Sequence, residues 1–136
     1  MREQPTAAEL IDAVSEFITR DLAPTLTGRL AFHARVAANV LAIVRRELLQ
    51  GPDADRADAS RLAVLLGHAG DPAVLTEELC RRIASGDIRS DDPALIEHLW
   101  ASTLDTLAVD QPGYATYRRI IAADPPTPSG PAKGEP

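Results

Sequence analysis

The chain has 136 residues, with 14 basic against 20 acidic side chains and a formal net charge of −6. This length suits a single domain. A pI near 5.0 argues against a nucleic-acid binder, which needs a basic face, and the longest uncharged apolar run, Val36 to Val44, is far shorter than the roughly 18 residues that cross a bilayer.

Cys80 is the single cysteine, so an internal disulfide and a Cys-rich metal site are excluded. The opening MREQPTAAEL has no apolar segment of the signal-peptide kind, and a cytoplasmic location is expected. Thirteen of the 14 basic residues are Arg, and Ala and Pro are abundant, a bias expected of a GC-rich bacterial genome.

The first helix is announced by Thr6 and Glu9, a T-x-x-E capping box, followed by Leu10, Ile11, Val14, Phe17 and Ile18 at helical spacing. Pro24 closes the segment. A second helix starts at Thr27 or Gly28 and runs to about Leu49. Between Arg35 and Arg45 nearly every residue is apolar or small, the pattern of a helix buried in the middle of a bundle. Gly51-Pro52 is expected to break the chain, with DADRAD (53–58) as a loop or helix start. A short third helix then turns Leu62, Leu65 and Leu66 inward and stops at Gly67 or Gly70.

Asp71-Pro72 and Asp92-Pro93 each read as an N-cap followed by proline at the first helical position. They open a fourth helix that ends at Gly86 and a fifth that carries Leu95, Leu99, Trp100 and Leu107 to about Asp110. A last helix is expected from about Pro112 to Ala122. No alternating strand pattern appears. Residues 124–136 hold five of the 11 prolines and no large apolar side chain, and read as a disordered tail after a helical domain at 1–123. The expected fold is therefore all-α, a compact bundle of five to six helices around a buried second helix.

The usual catalytic signatures are absent: no G-x-G-x-x-G, P-loop, H-E-x-x-H or G-x-S-x-G. DADRAD lacks the glycine and late glutamate of a calcium loop. His33, His68 and His98 are not spaced as helical ligand pairs, so neither metal nor cofactor is expected. Trp100 and Cys80 read first as packing residues, with a partner-facing anchor as the alternative for Trp100.

The polar cluster of interest is Arg29, His33, Arg35 and Asn39 on the second helix. Basic groups near a helix N-terminus oppose its dipole and call for a partner. They pair with carboxylates such as Asp21, Asp105 or Asp110, or with the helix N–H groups they hold an anionic ligand. A general base at His33 is the weakest alternative.

The run GRLAFHARVAANVLAIVRREL, with PTAAELIDAVSEFI before it and LDTLAVDQPGY after it, resembles a small bacterial family described only as a domain of unknown function, over about residues 3–120. The resemblance implies recurring polar positions at Arg29, His33, Arg35, Asn39, Asp105 and Asp110, with Thr106 where a lysine is expected. It also implies genes beside kinases of the aminoglycoside-phosphotransferase type and beside acyl-CoA dehydrogenases. The functional expectation is a non-enzymatic accessory protein that binds such a kinase or dehydrogenase in acyl-CoA or hydroxy-acid metabolism. The alternative is a small-ligand binder for acyl-CoA or fatty acid at the start of the second helix. Self-association is left open.

Overall fold

A computed structural model describes residues 4–123. The expected tail at 124–136 lies outside them. The described chain is all-α, as its sequence leads one to expect. Helix α1 spans Ala7–Glu16, then passes without a break through a π-helical turn at Phe17–Leu22 and a 3₁₀ turn at Ala23–Thr25. Helix α2 spans Gly28–Leu66, α3 Pro72–Ser85, α4 Pro93–Asp110 and α5 Ala115–Ala123.

The helix starts and stops follow the local chemistry. Thr6 accepts from the Glu9 N–H, and the Glu9 carboxylate accepts from the Thr6 N–H at 2.7 Å. That hydrogen bond is the main reason the Glu9 carboxyl is held below its ordinary pKa. Asp71 and Asp92 cap α3 and α4 by accepting from the two N–H groups that follow the helix-starting proline. Gly67 and Gly86 end α2 and α3 in the left-handed conformation, at φ 84° and 82°.

The expected break at Gly51-Pro52 does not occur. α2 runs through it as one helix of 39 residues, so the predicted third helix forms its last turns. An interior proline removes one helical hydrogen bond and crowds the preceding turn, at a cost of about 3 kcal/mol. α2 stays helical through it, with Gly51 buried on the wall of a groove shared with the C-terminal end of α4. There Arg46 Nε donates to the Val109 carbonyl at 2.6 Å.

The largest buried apolar cluster lies at one end, with Ala34 and Val109 buried apart from it. Leu62 and Leu66 of α2, Leu75 and Leu79 of α3 and Leu95 of α4 form it, with Leu65, Ile83 and Ile88 packed around. Helix α2 is central, since α1, α3 and α4 all pack on it, but its expected burial is corrected. Between Gly28 and Gln50 only Ala34 is buried. The reason is the length of the unbroken helix. α3 and the core part of α4 sit on its C-terminal half, and the N-terminal half has α1 on one side. Leu30, Phe32, Val36, Val40, Val44 and Leu48 are left exposed.

Two packing expectations are corrected as well. Trp100 is 53% exposed, and Cys80 is exposed. Among the described residues, no helix is long and apolar enough to cross a membrane.

Candidate functional site

Helices α2 and α4 run past each other and leave a groove of about 330 Å³, lined by Glu47, Gly51, Asp55, Asp58, Asp105 and Asp110 among others. Its acidic wall follows from spacing. Glu47, Gly51, Asp55 and Asp58 recur every three or four residues on one face of α2, while Asp105 and Val109 do so on α4.

Arg61 ties the groove at its inner end. Its Nη2 lies 2.9 Å from Asp105 Oδ2 and 3.2 Å from Asp58 Oδ1. His98 of α4 stands beside this pair, 6% exposed, with Nδ1 3.9 Å from Asp58 Oδ1. That separation is too long for a hydrogen bond, and Nδ1 has no hydrogen-bond partner among the described residues. Among the described residues no three His, Cys, Asp or Glu side chains are placed to hold a metal ion.

The four sequence-predicted residues lie elsewhere, on the N-terminal half of α2. Arg29, His33, Arg35 and Asn39 are all exposed. Among the described residues none has an ion-pair or hydrogen-bond partner. Asp105, one expected partner, is engaged by Arg61 instead. At 100° per residue, Arg29 and His33 share a side, whereas Arg35 sits about 160° around the helix from His33. The structure therefore keeps Arg29 and His33 together and sets Arg35 and Asn39 apart from them. Thr27 makes no side-chain cap at this helix start, so the first N–H groups of α2, near Arg29, have no side-chain partner there.

Sequence reasoning missed the Arg61–Asp58–Asp105 cluster. The Asp58–Arg61 spacing of three is a local signal for a helical ion pair. Asp105 and His98 join it only through the packing of α4 on α2, which no local pattern encodes.

A third feature is the outer face of α4. Ile96, Leu99, Trp100 and Thr103 fall within about 100° on one side of the helix, beside the buried face of Leu95, His98 and Val109, and all four are exposed.

Residues 24–114 match the family described as a domain of unknown function, DUF6285. They make up two thirds of the chain, which belongs to that family. The matched stretch runs from the end of the first helical segment to the start of α5, shorter than the 3–120 expected from the resemblance. It contains the whole of α2, the acidic groove and the α4 face. No curated protein and no solved structure matches the chain.

Proposed function

We propose that the chain is a non-enzymatic accessory protein of the bacterial cytoplasm that docks on a larger partner. The partner is a kinase of the aminoglycoside-phosphotransferase type or an acyl-CoA dehydrogenase, acting in acyl-CoA or hydroxy-acid metabolism. The observation that carries this reading is the exposed Trp100 beside the exposed Ile96 and Leu99. A tryptophan standing among exposed apolar side chains is the kind of residue that dominates binding energy at protein interfaces. The choice of partner rests on the gene context that the family resemblance implies.

The test is co-purification of the full chain with each of the two candidate partners, expressed together. Retention of the kinase or the dehydrogenase by the native chain, with at least tenfold weaker binding by Trp100→Ala, supports the reading. Failure of both to be retained overturns it.

A second reading rests on the unpartnered Arg29 and His33 near the uncapped N–H groups of α2. It is a site for the phosphate or carboxylate of an acyl-CoA or fatty acid. A specific ligand raises thermal stability by mass action. An acyl-CoA that shifts the melting temperature of the native chain but not of Arg29→Ala supports it, and no shift with any acyl-CoA or fatty acid removes it.

A further inference from the structure

We infer that the occupant of the exposed N-terminal half of α2 is a second copy of this chain, paired with the first about a two-fold axis so that the two α2 helices run antiparallel and cross near Val40.

The first argument is the position of the core. All five side chains of the buried cluster lie at the α3–α4 end of the molecule, whereas the α1–α2 end is a layer of two helices. A two-helix layer cannot enclose a core and needs a second layer to do so. The apolar side chains for one are present. Val36, Val40 and Val44 form a ladder about 12 Å long on one side of α2, flanked by Phe32 and Leu48 about 80° to either side of Val40. On α1, Leu10, Val14 and Phe17 are also exposed. With half-buried Ile11 and Ile18 turned towards α2, the handedness of two antiparallel right-handed helices brings this stripe to the same side of the layer as Val40, Val44 and Leu48. Together with Leu30, and without Phe32, the combined exposed surface of these side chains is on the order of 700 Å², close to what one partner contributes to a standard stable interface.

The second argument identifies the occupant. The ladder reads alike from both ends: a two-fold axis at Val40 sets Val36 across from Val44, with Phe32 and Leu48 at its flanks. A two-fold interface must be self-complementary in this way. The charges obey the same relation. Position 33 faces 47, so His33 of each copy meets Glu47 of the other. Arg29 of each copy reaches the mouth of the acidic groove, where Glu47 and Asp110 stand. None of Arg29, His33, Glu47 and Asp110 has an ion partner within the described chain. In a parallel pair, the basic start of one α2 would lie against the basic start of the other.

The experiment is sedimentation equilibrium of the full chain at tens of micromolar. The native chain is expected at twice its monomer mass. Val40→Glu, which sets two like charges against each other on the axis, is expected to be monomeric with unchanged far-UV circular dichroism. Val64→Glu, at a position 85% exposed outside the ladder, is expected to remain dimeric. A monomeric native chain, or a Val40→Glu chain that remains dimeric, overturns the proposal. Should Val40→Glu fail to fold, disulfide trapping decides, in a Cys80→Ser background. A mixture of Val36→Cys and Val44→Cys chains is expected to cross-link, with Val36→Cys alone not doing so. Cross-linking of Val36→Cys to itself, or none in the mixture, overturns the antiparallel pair.

Discussion

Arg61 Nη2 of α2 sits 2.9 Å from Asp105 Oδ2 of α4, and the two residues are 44 positions apart in the chain. This contact joins helices that no local sequence signal brings together. Both side chains are part-buried, and Arg61 also holds Asp58. Removing the guanidinium leaves two neighbouring carboxylates without their shared cation. Arg61→Ala is therefore expected to cost about 1–3 kcal/mol. Asp105→Ala, which leaves Arg61 its second partner, is expected to cost about 1 kcal/mol or less. Urea unfolding of the two variants checks the order, and equal losses would show that Asp58 carries none of the Arg61 interaction.

The stability of the α2–α3 corner is expected to depend on pH. His68 Nε2 lies 2.9 Å from Glu78 Oε2, and this hydrogen bond raises the His68 pKa above its ordinary 6.5. The same bond holds the Glu78 carboxyl below its ordinary 4.5, aided by Arg82. The histidine contribution is fully present below about pH 6.5 and is lost as pH rises through the raised value. The glutamate contribution is present above about pH 4.5 and is lost as pH falls through the lowered value. The difference in melting temperature between the native chain and His68→Ala is thus expected to be greatest between about pH 4.5 and 6.5 and to shrink towards pH 8. A difference that grows with pH would contradict the pairing.

Gly51 is the buried glycine inside α2. A methyl group there would meet Glu47 Oε1 at 2.9 Å, with its other near neighbours on the same carboxylate. The end of a long side chain swings away at little cost, and a glycine inside a helix is worth about 1 kcal/mol less than alanine. Gly51→Ala is expected to stabilise the chain by up to about 1 kcal/mol, read as a raised urea midpoint. Destabilisation would mean that Glu47 is held in place.

The one-sided core makes a contrast between apolar truncations. Leu75 is 1% exposed in the five-leucine cluster, and Leu75→Ala is expected to cost about 2–5 kcal/mol. Val64→Ala, at an exposed position of α2, is expected to change stability by less than about 0.5 kcal/mol. Thermal unfolding of both measures the contrast. A small loss at Leu75 would mean that the cluster is loosely packed.

Helix ends were readable wherever a side chain or a glycine acts on its own backbone. Thr6 with Glu9, Asp71, Asp92, Gly67 and Gly86 all act where the local rules place them. Pro52 misled because its effect is set by tertiary packing. A proline usually ends a helix in isolation, and here α2 stays helical across it, with Gly51 buried on the groove it shares with α4. The exposure of Phe32 and Val40 was illegible for a related reason. Periodicity identifies the apolar side of a helix but not how far its neighbours extend along it. Arg29 and His33 stand in the first two turns of α2, basic groups at the positive end of its dipole. Their freedom from Asp21, Asp105 and Asp110 emerges only once Arg61 is seen to occupy Asp105.

The unbroken α2 has a mechanical consequence. The α1-bearing half and the leucine-rich half are the same helix, about 58 Å long at 1.5 Å per residue, so no linker lies between them. A protease cannot release one half from the other by cutting a loop. Among the described residues, the non-helical turns lie before α2 at Leu26-Thr27 and after α2, α3 and α4. Any tilt of one half must be carried as bending of the rod itself, with Pro52, where a rung of the helical ladder is missing, as its most compliant point.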